Sequence, residues 1–167
     1  MRRTVSIKLA TTVRQNAELA QLQLVFNQAC NMVASIAMKN RCWNRVELHH
    51  LCYYQIRIEQ KKESKGLGSQ MVCNAIKAVC DAYKVLKIKK AESVPVIAFR
   101  KDASVHFDKR TYSLKGNTIS LYTLSGRMWV QTQAGEFQQN YLQQGKPKEA
   151  ELVCRGGQWF FNLVLDV

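Results

Sequence analysis

Residues 111–132 read TYSLKGNTISLYTLSGRMWVQT, and this stretch decides the fold class of the second half of the chain. Two short strands, 112–115 and 118–123, flank a Gly-Asn pair at 116–117 that is typical of a tight hairpin turn. A third strand, 127–132, follows the next glycine. Several short strands separated by glycine turns predict a small barrel or a curled sheet.

The strand pattern continues on both sides of this stretch. Further strands are expected over 94–99, 104–107, 150–154 and 158–167, the last two joined by a turn at 155–157. The glutamine-rich segment 133–146 is polar and is expected to be a loop with at most one helical turn.

One strand stands apart at the start of the chain. Val5, Ile7 and Leu9 alternate with polar residues, which indicates a half-buried strand. An unpaired strand is not stable, so this one is expected to pair with the C-terminal sheet. The helices that follow would then be an insertion into a discontinuous β domain. The predicted fold is α+β, with residues 1–12 and 92–167 in the β domain and 13–91 in the helical insertion.

Between the first strand and the later ones, the hydrophobic period is three to four residues, which is typical of helices. A capping box at Thr12–Gln15 predicts the first helix start, and Ser69 is expected to cap the third helix. A polar turn is expected at 61–68. The three helices are expected over about 13–39, 47–60 and 69–90. Their apolar faces are Leu22, Val25, Phe26, Ala29, Val33, Ile36 and Ala37; Leu48, Leu51, Cys52 and Ile56; and Val72, Ala75, Ile76, Val79, Tyr83 and Leu86.

The charge is concentrated in the helical half. The chain has 167 residues and a formal net charge of +13. Residues 1–90 hold 16 Lys and Arg against 5 Asp and Glu, whereas 91–167 hold 9 against 7. This excess does not suit a typical metabolic enzyme, and it favours a polyanion partner such as nucleic acid. With 47% hydrophobic and 22% charged residues, the composition argues against global disorder.

The six cysteines indicate the cellular compartment of the chain. None forms a C-x-x-C pair, and the three histidines complete no zinc pattern. Free thiols in a reducing compartment are therefore expected. No apolar run is long enough for a signal peptide or a membrane span. We expect an intracellular protein that is not associated with a membrane.

Short motifs in a fixed order now resemble a known family. The helical part contributes Phe26-Asn27-x-Ala29-Cys30-Asn31, Leu48-His49-x-x-x-Tyr53-x-x-Ile56-Arg57, Leu67-Gly68-Ser69-Gln70, Ala75-Ile76 and Ala82-Tyr83-Lys84. The β part contributes Val96-Ile97-x-Phe99, Arg110-x-Tyr112-Ser113, Ile119-Ser120-Leu121-x-Thr123, Gly126-Arg127 and Gly157-x-Trp159. Over nearly the whole chain, this order resembles the N-terminal half of TnpB-type (OrfB) transposon-encoded proteins, relatives of the compact Cas12 nucleases.

The resemblance implies a fold, two nucleic-acid partners, and a cytoplasmic, nucleoid-associated location in a prokaryotic cell. In that family the strands form a wedge domain, a small oligonucleotide-binding-type barrel that grips guide RNA. The inserted helices form a recognition lobe, which holds the guide–target heteroduplex and reads a short motif flanking the target DNA. Such proteins leave sequence reading to base pairing. Gly68 departs from the family, in which many members have proline, and this puts the rigidity of the third helix entry in doubt.

We expect these 167 residues not to include the nuclease part of the family. Cutting needs carboxylates that hold two metal ions, and the seven acids after position 90 are scattered: Glu92, Asp102, Asp108, Glu136, Glu149, Glu151 and Asp166. We therefore expect no enzyme activity, no cofactor and no metal, with any RuvC nuclease supplied by a separate chain. A split effector, a degenerate transposon product and a truncated chain are all consistent with this.

The helical half offers candidate contacts to RNA or DNA. Tyr53 and Arg57 share a helix face, and the resemblance implies contact with target-adjacent duplex. The alternative is a core tyrosine beside an exposed arginine. The resemblance implies a recognition role for Gln70, next to Ser69. The remaining candidates are Asn74, Lys77, Lys84 and Lys87, where the lysines could equally be a solvated helix face.

The β half offers a second set. Arg110, Thr111 and Tyr112 lie at a strand start where the family makes backbone contacts, although Tyr112 could equally be a core aromatic. Arg127 and Trp129 lie on a hairpin, where a base could stack. The core interpretation is favoured for the tryptophan.

Two other functions remain open on the sequence alone. One is a structural or regulatory RNA-binding protein that never meets DNA. The other is a protein-interaction adaptor whose positive charge serves solubility. Salt-dependent binding would separate the adaptor from the others, and a neighbouring reading frame for a RuvC domain would separate the first two.

Overall fold

The computed structural model describes residues 1–63 and 65–167, with only the backbone of Glu63. Ser64, which belongs to the predicted polar turn, lies outside the described residues. The helices are α1 Val13–Asn40, α2 Arg45–Glu63, α3 Ser69–Val85 and α4 Glu136–Gln144. The strands are β1 Arg2–Ala10, β2 Val105–Phe107, β3 Tyr112–Lys115, β4 Thr118–Thr123, β5 Gly126–Gln133, β6 Lys146–Arg155 and β7 Gln158–Asp166. The α+β class is confirmed.

The strands form one seven-stranded sheet in the order β2-β6-β7-β1-β5-β4-β3, and every pair is antiparallel. β1 lies at its centre, with Ile7 opposite Phe161 of β7 and Leu9 opposite Thr132 of β5. The expected pairing of the first strand with the C-terminal sheet is therefore confirmed. The chain ends also pair: Val167 N donates to Met1 O at 2.9 Å.

Alternation along the strands gives the sheet one apolar face. Val5, Ile7 and Leu9 are buried, as are Phe161 and Leu163 opposite them. The sheet is curled, as a contact between two strands that are far apart in its order shows. Tyr112 of β3 meets Phe161 of β7 edge to face, with ring centroids 5.1 Å apart.

The chain divides into two compact units. Met1–Gln23 and Ser104–Val167 form the first, here called the β unit, and Leu24–Ala103 form the second, the helical unit. α1 passes from one to the other.

Two predictions in the β half need correction. The expected strand 94–99 is not a strand. Phe99 instead exchanges two hydrogen bonds with the Asn31 side chain of α1, at 2.6 and 3.0 Å. Asn27, one turn earlier, donates to the carbonyl of Ala103 at 2.9 Å, so side-chain amides of α1 bind this segment where a β partner was expected. The glutamine-rich segment forms the nine-residue helix α4, longer than the single turn expected.

The helical unit packs around α3. Tyr83 of α3 is fully buried, donates to the carbonyl of Pro95 at 2.9 Å and stacks on Trp43 at 5.7 Å. Gln60 of α2 donates to the carbonyl of Val25 in α1 at 3.1 Å. The three predicted helices of this half are confirmed.

The helix ends match the sequence in part. The capping box is present, because Gln15 N donates to Thr12 Oγ1 at 3.2 Å and Thr12 N to Gln15 Oε1 at 3.0 Å. Ser69 does not cap α3, since Gly68 occupies the N-cap position and no side chain caps it. α3 ends at Val85, about five residues earlier than predicted, and α2 extends into the expected turn as far as Glu63. Among the predicted apolar faces, the side chains of Leu51 and Leu86 are exposed.

Candidate nucleic-acid interface

The β4–β5 hairpin carries exposed aromatic rings beside a fixed arginine. Tyr122 lies opposite Arg127, and Ser120 lies opposite Trp129. Tyr122 is 37% exposed and Trp129 is 49% exposed, whereas the alternate positions Ile119, Leu121 and Val130 are buried. The two-residue period of the strands therefore places Tyr122, Arg127 and Trp129 on the outer face. We call these three residues the hairpin platform. Trp129, for which a core position was favoured, lies outside the core.

Arg127 is held in place by its own unit. Its Nη1 donates to Ser120 Oγ at 2.8 Å, and its Nη2 donates to the carbonyl of Arg110 at 2.8 Å. The guanidinium carbon lies 5.7 Å from the centre of the Tyr122 ring. An arginine fixed beside exposed rings presents a flat cationic surface on which a nucleobase can stack or to which a phosphate can bind.

The turn before β3 uses its polar groups internally. Asp108 accepts from Arg110 Nε at 2.9 Å and from Thr111 Oγ1 at 2.9 Å. Thr111 is buried, and its carbonyl accepts from Tyr122 N at 2.9 Å. Of the two candidates Arg110 and Thr111, only Arg110 presents its side chain to solvent. Thr111 holds the turn in place.

Tyr112 lies in the core. Its side chain is buried, and its hydroxyl donates to the carbonyl of Lys148. Burial, followed by the nearby charge of Asp108, raises the pKa of Tyr112 to about 12. The family-based role as a surface contact is corrected, because the ring packs on Phe161 inside the sheet and the hydroxyl is bonded to the backbone of β6.

In the helical unit, three side chains of α2 form a column. The rings of His49 and Tyr53 stack with centroids 4.6 Å apart and an interplanar angle of 20°. Arg57 Nη1 donates to Tyr53 Oη at 3.0 Å. All three are half-buried, so the predicted pair of Tyr53 and Arg57 is brought together, with His49 as an unpredicted third member. The four-residue spacing of the three positions was the available signal.

The candidates on α3 follow one helix face but differ in exposure. Gln70 is half-buried and Asn74 is buried, where its amide donates to Met71 Sδ at 3.5 Å. Lys77 pairs with Asp81 at 2.5 Å. Asn74 therefore lies inside the unit and offers no surface for nucleic acid. The ion pair with Asp81 neutralises the positive charge of Lys77 on this face. Ser69 is exposed at the first position of the helix.

Lys87, Lys89 and Lys90 lie in a turn segment beyond α3, and not on the helix as predicted, whereas Lys84 lies in the last turn of α3. Lys87 has a positive φ of 49°, so the helix has ended before it. We call Lys84, Lys87, Lys89 and Lys90 the lysine segment. All four are exposed, and among the described residues none of them has a carboxylate within salt-bridge distance.

Arg41 organises this segment and was missed in the sequence. Its Nη1 donates to the carbonyl of Glu92 at 2.7 Å, and its Nη2 lies 3.3 Å from the carbonyls of Lys89 and Lys90. It therefore holds the backbone at Lys89 and Lys90, from which two of the four lysines project. Nothing in the local pattern pointed to Arg41, because its partners lie about fifty positions later.

Two acids of the β unit, Asp166 and Glu151, contact basic side chains. Asp166 pairs with Lys148 at 3.2 Å and with Arg2 at 3.4 Å. The hydrogen bond from Lys148, together with the positive charges nearby, lowers the pKa of Asp166. Glu151 contacts His106 Nδ1 at 3.0 Å. Across residues 1–63 and 65–167 the structure holds no group of three or more His, Cys, Asp and Glu side chains arranged for a metal.

Comparison with known proteins gives a likeness of fold. The sequence matches no protein-family profile and no curated protein. Among solved structures, the chain is similar to a chain in a cryo-EM structure of a CRISPR-Cas12f ternary complex, with a TM-score of 0.59 at 11% sequence identity. The match covers 92% of this chain and 41% of that one. The match thus spans about two fifths of the length of that chain.

This likeness extends over both units. In the described part of the chain, every helix is too short or too polar to cross a lipid bilayer. The two units thus share the fold of part of a Cas12f chain, with exposed aromatic rings on one and unpaired lysines on the other.

Proposed function

We propose that this chain is the nucleic-acid-binding part of a Cas12-like RNA-guided DNA-targeting system. The observation that carries the proposal is the likeness over 92% of the chain to part of a Cas12f chain. The net charge of +13 supports it, because a polyanion partner would neutralise that excess. Guide RNA and target DNA are the proposed partners.

The finer assignment follows the order of the sequence motifs. The chain corresponds to the wedge and recognition parts of a TnpB-type protein, with an oligonucleotide-binding-type barrel as the wedge. The β domain, residues 1–12 and 92–167, grips guide RNA through Arg110 and the hairpin platform. The helices of 13–91 hold the target-adjacent duplex, through Tyr53, Arg57, Ser69 and Gln70 and, for phosphates, the lysines.

The chain itself is proposed not to cut nucleic acid. Its Asp108 and Asp166 carboxylates face basic groups, so neither is presented to a pair of metal ions. A RuvC nuclease on another chain would complete the system. Cleavage by the purified chain in magnesium, lost on changing Asp108 or Asp166 to Asn, would contradict this proposal.

The experiment is a salt titration of binding to an RNA stem-loop. If about six phosphates are contacted, the logarithm of the affinity should fall with the logarithm of salt with a slope of about −4 to −5. A slope near zero between low and physiological salt would overturn nucleic-acid binding altogether and favour an adaptor.

A second experiment tests the role of DNA. The RNA-loaded complex, assembled with RNA that copurifies with the chain, selects from duplex DNA with randomised flanks. Gln70→Ala should abolish enrichment of a flanking motif and leave RNA affinity within about 0.5 kcal/mol, whereas the exposed Gln28→Ala should retain both. Equal weakening of RNA and every DNA would overturn the role of Gln70. Absence of any enriched motif in the wild type would favour a stand-alone RNA-binding protein.

A further inference from the structure

The β unit contains a cavity of about 350 Å³ at one end of its sheet. The β3–β4 hairpin, β1 and β5 form its floor, and α4 lies over it. This volume falls in the range of pockets that hold small organic ligands, about 300–1,000 Å³. The cavity is distinct from the hairpin platform, since neither Tyr122, Arg127 nor Trp129 lines it.

The lining combines an apolar floor with neutral amides. Ile7, Leu114 and Ile119 contribute aliphatic surface, whereas Asn117, Gln139 and Gln143 contribute carboxamides. No charged side chain belongs to the described lining. Aliphatic walls with amide groups suit a flat, neutral, heteroaromatic ring, because an amide both donates and accepts hydrogen bonds, like the edge of a nucleobase.

The backbone of the pocket is fixed while two of its amides remain available. The carbonyl of Asn117 accepts from Thr132 N at 2.8 Å and from Thr132 Oγ1 at 2.9 Å, which ties the hairpin turn to β5. Within the described residues, the side-chain amides of Asn117 and Gln143 have no hydrogen-bond partner. They can therefore bind a ligand without breaking an existing contact.

α4 leaves the cavity unfilled. No residue of this helix is buried. Leu142 reaches the cavity, whereas Phe137 lies 64% exposed and packs on Tyr141 at 4.9 Å. A helix that buries no side chain covers the pocket but does not close it, so a base extending from a nucleic-acid strand has room to enter.

We propose that this cavity is a nucleobase pocket that takes one unstacked base of a bound RNA. This inference rests on the proposed RNA binding and adds a position at which a single base is enclosed. Lys115, which directly precedes Gly116 in the turn, is exposed and has no carboxylate partner among the described residues. Its ammonium would bind the phosphate of the enclosed nucleotide.

The test uses nitrogen-labelled protein and NMR of the Asn and Gln side-chain amides. AMP, GMP, CMP and UMP are titrated separately, with ribose 5-phosphate as the control that lacks a base. We expect saturable shifts of the Asn117, Gln139 and Gln143 amide signals with at least one nucleotide, and none with ribose 5-phosphate. Shifts that are equal for ribose 5-phosphate, or absent with all four nucleotides, would overturn the pocket.

Variants separate the pocket from the rest of the unit. Leu142→Trp should fill the cavity and remove the nucleotide-induced shifts, whereas the exposed Gln144→Trp on the opposite side of α4 should preserve them. Gln143→Leu retains the volume and should weaken nucleotide binding at least about fivefold, as expected for a lost hydrogen bond. Unchanged binding in both Leu142→Trp and Gln143→Leu would contradict the assignment.

Single-stranded RNA identifies the source of the base. An RNA oligonucleotide should shift the same three amides and displace the bound monophosphate. A site for free nucleotides would leave those signals unmoved by the oligonucleotide, and that result would overturn the assignment to RNA. The salt titration on the stem-loop is independent of these signals, so failure of the pocket and failure of RNA binding are distinguishable.

Discussion

The two units carry positive charge in different ways. The β unit fixes three of its cations: Arg127 is held by two hydrogen bonds, and Arg110 and Lys148 pair with carboxylates. The helical unit instead presents the lysine segment. Arg41 holds its backbone at Lys89 and Lys90, and its ammonium groups have no carboxylate partner among the described residues. Aromatic exposure differs too, since the β unit sets the Tyr122 ring beside its fixed arginine and exposes Trp129 on the same strand face.

This difference suggests two modes of contact. A guanidinium fixed beside an exposed ring favours stacking of a base. Stacking neutralises no phosphate and therefore adds little to the salt dependence of binding. Lysines on long flexible stems act as point charges for phosphates, and their contribution falls as salt rises. The β unit should therefore contact bases, and the helical unit should contact backbones.

The largest expected effect concerns the core that supports the platform. Phe161 is fully buried between the rings of Phe107 and Tyr112, at 5.8 and 5.1 Å. Phe161→Ala should lower the free energy of unfolding by about 3–5 kcal/mol, because it removes a large side chain and leaves a cavity. Urea unfolding measures this. The exposed Phe137→Ala is the matched control, expected within about 0.5 kcal/mol of the wild type.

The second largest effect tests whether the β unit, unlike the helical unit, binds RNA by stacking. Trp129→Ala should weaken binding of single-stranded RNA by about 1–3 kcal/mol, the value of one stacked base, and leave the salt slope unchanged. Fluorescence anisotropy at several salt concentrations measures both, again with Phe137→Ala as the control. If Trp129→Ala reduced the slope and left the affinity at low salt intact, stacking on the platform would be excluded.

The third effect is expected in the salt slope. Lys87→Ala and Lys89→Ala should each reduce the slope by about one and weaken binding to all sequences alike, since each removes one phosphate contact. Lys77→Ala is the matched control on the same unit, because its ammonium already pairs with Asp81. Equal losses for Lys77 and Lys87 would show that the ion pair does not distinguish them.

The smallest effect is a pH dependence in the β unit. The folded pKa of Asp166 lies below its unfolded value, because Lys148 and Arg2 favour the carboxylate. The stabilisation is therefore present above the unfolded pKa of about 4 and is lost as the pH falls through the lower folded pKa. Unfolding measured from neutral to acidic pH should show a shallower decline for Asp166→Asn than for the wild type. A steeper decline in the variant would contradict the lowered pKa of Asp166 in the folded protein.

Much of the fold followed from local patterns in the sequence. Alternation placed β1, and the Gly-Asn pair placed the β3–β4 hairpin at the predicted residues, because Gly116 with φ of 57° adopts the left-handed conformation that the turn requires. Residues 94–99 resembled a strand by composition. Their partner, the amide side chains of α1, is distant in the sequence and gives no periodic signal.

The candidate site was less predictable, because exposure depends on tertiary packing. Tyr112 and Trp129 are both aromatic strand residues, yet Tyr112 is buried inside the curled sheet and Trp129 faces solvent. Lys77 and Lys87 are equally basic in sequence, but only the folded chain shows an aspartate one turn away from the first and a helix end before the second. The amides that line the cavity come from a turn and a helix that the sequence did not bring together.

The pairing of Met1 with Val167 has a consequence for how the sequence order can be rearranged. Because the first and last residues meet across β1 and β7, a short linker could join them without displacing either strand. New ends could then be opened at the exposed Gly156–Gly157 turn, where positive φ angles of 57° and 75° mark a tight connection between β6 and β7. Such a circular permutant would retain every strand neighbour, so the topology of the sheet does not depend on where the chain starts.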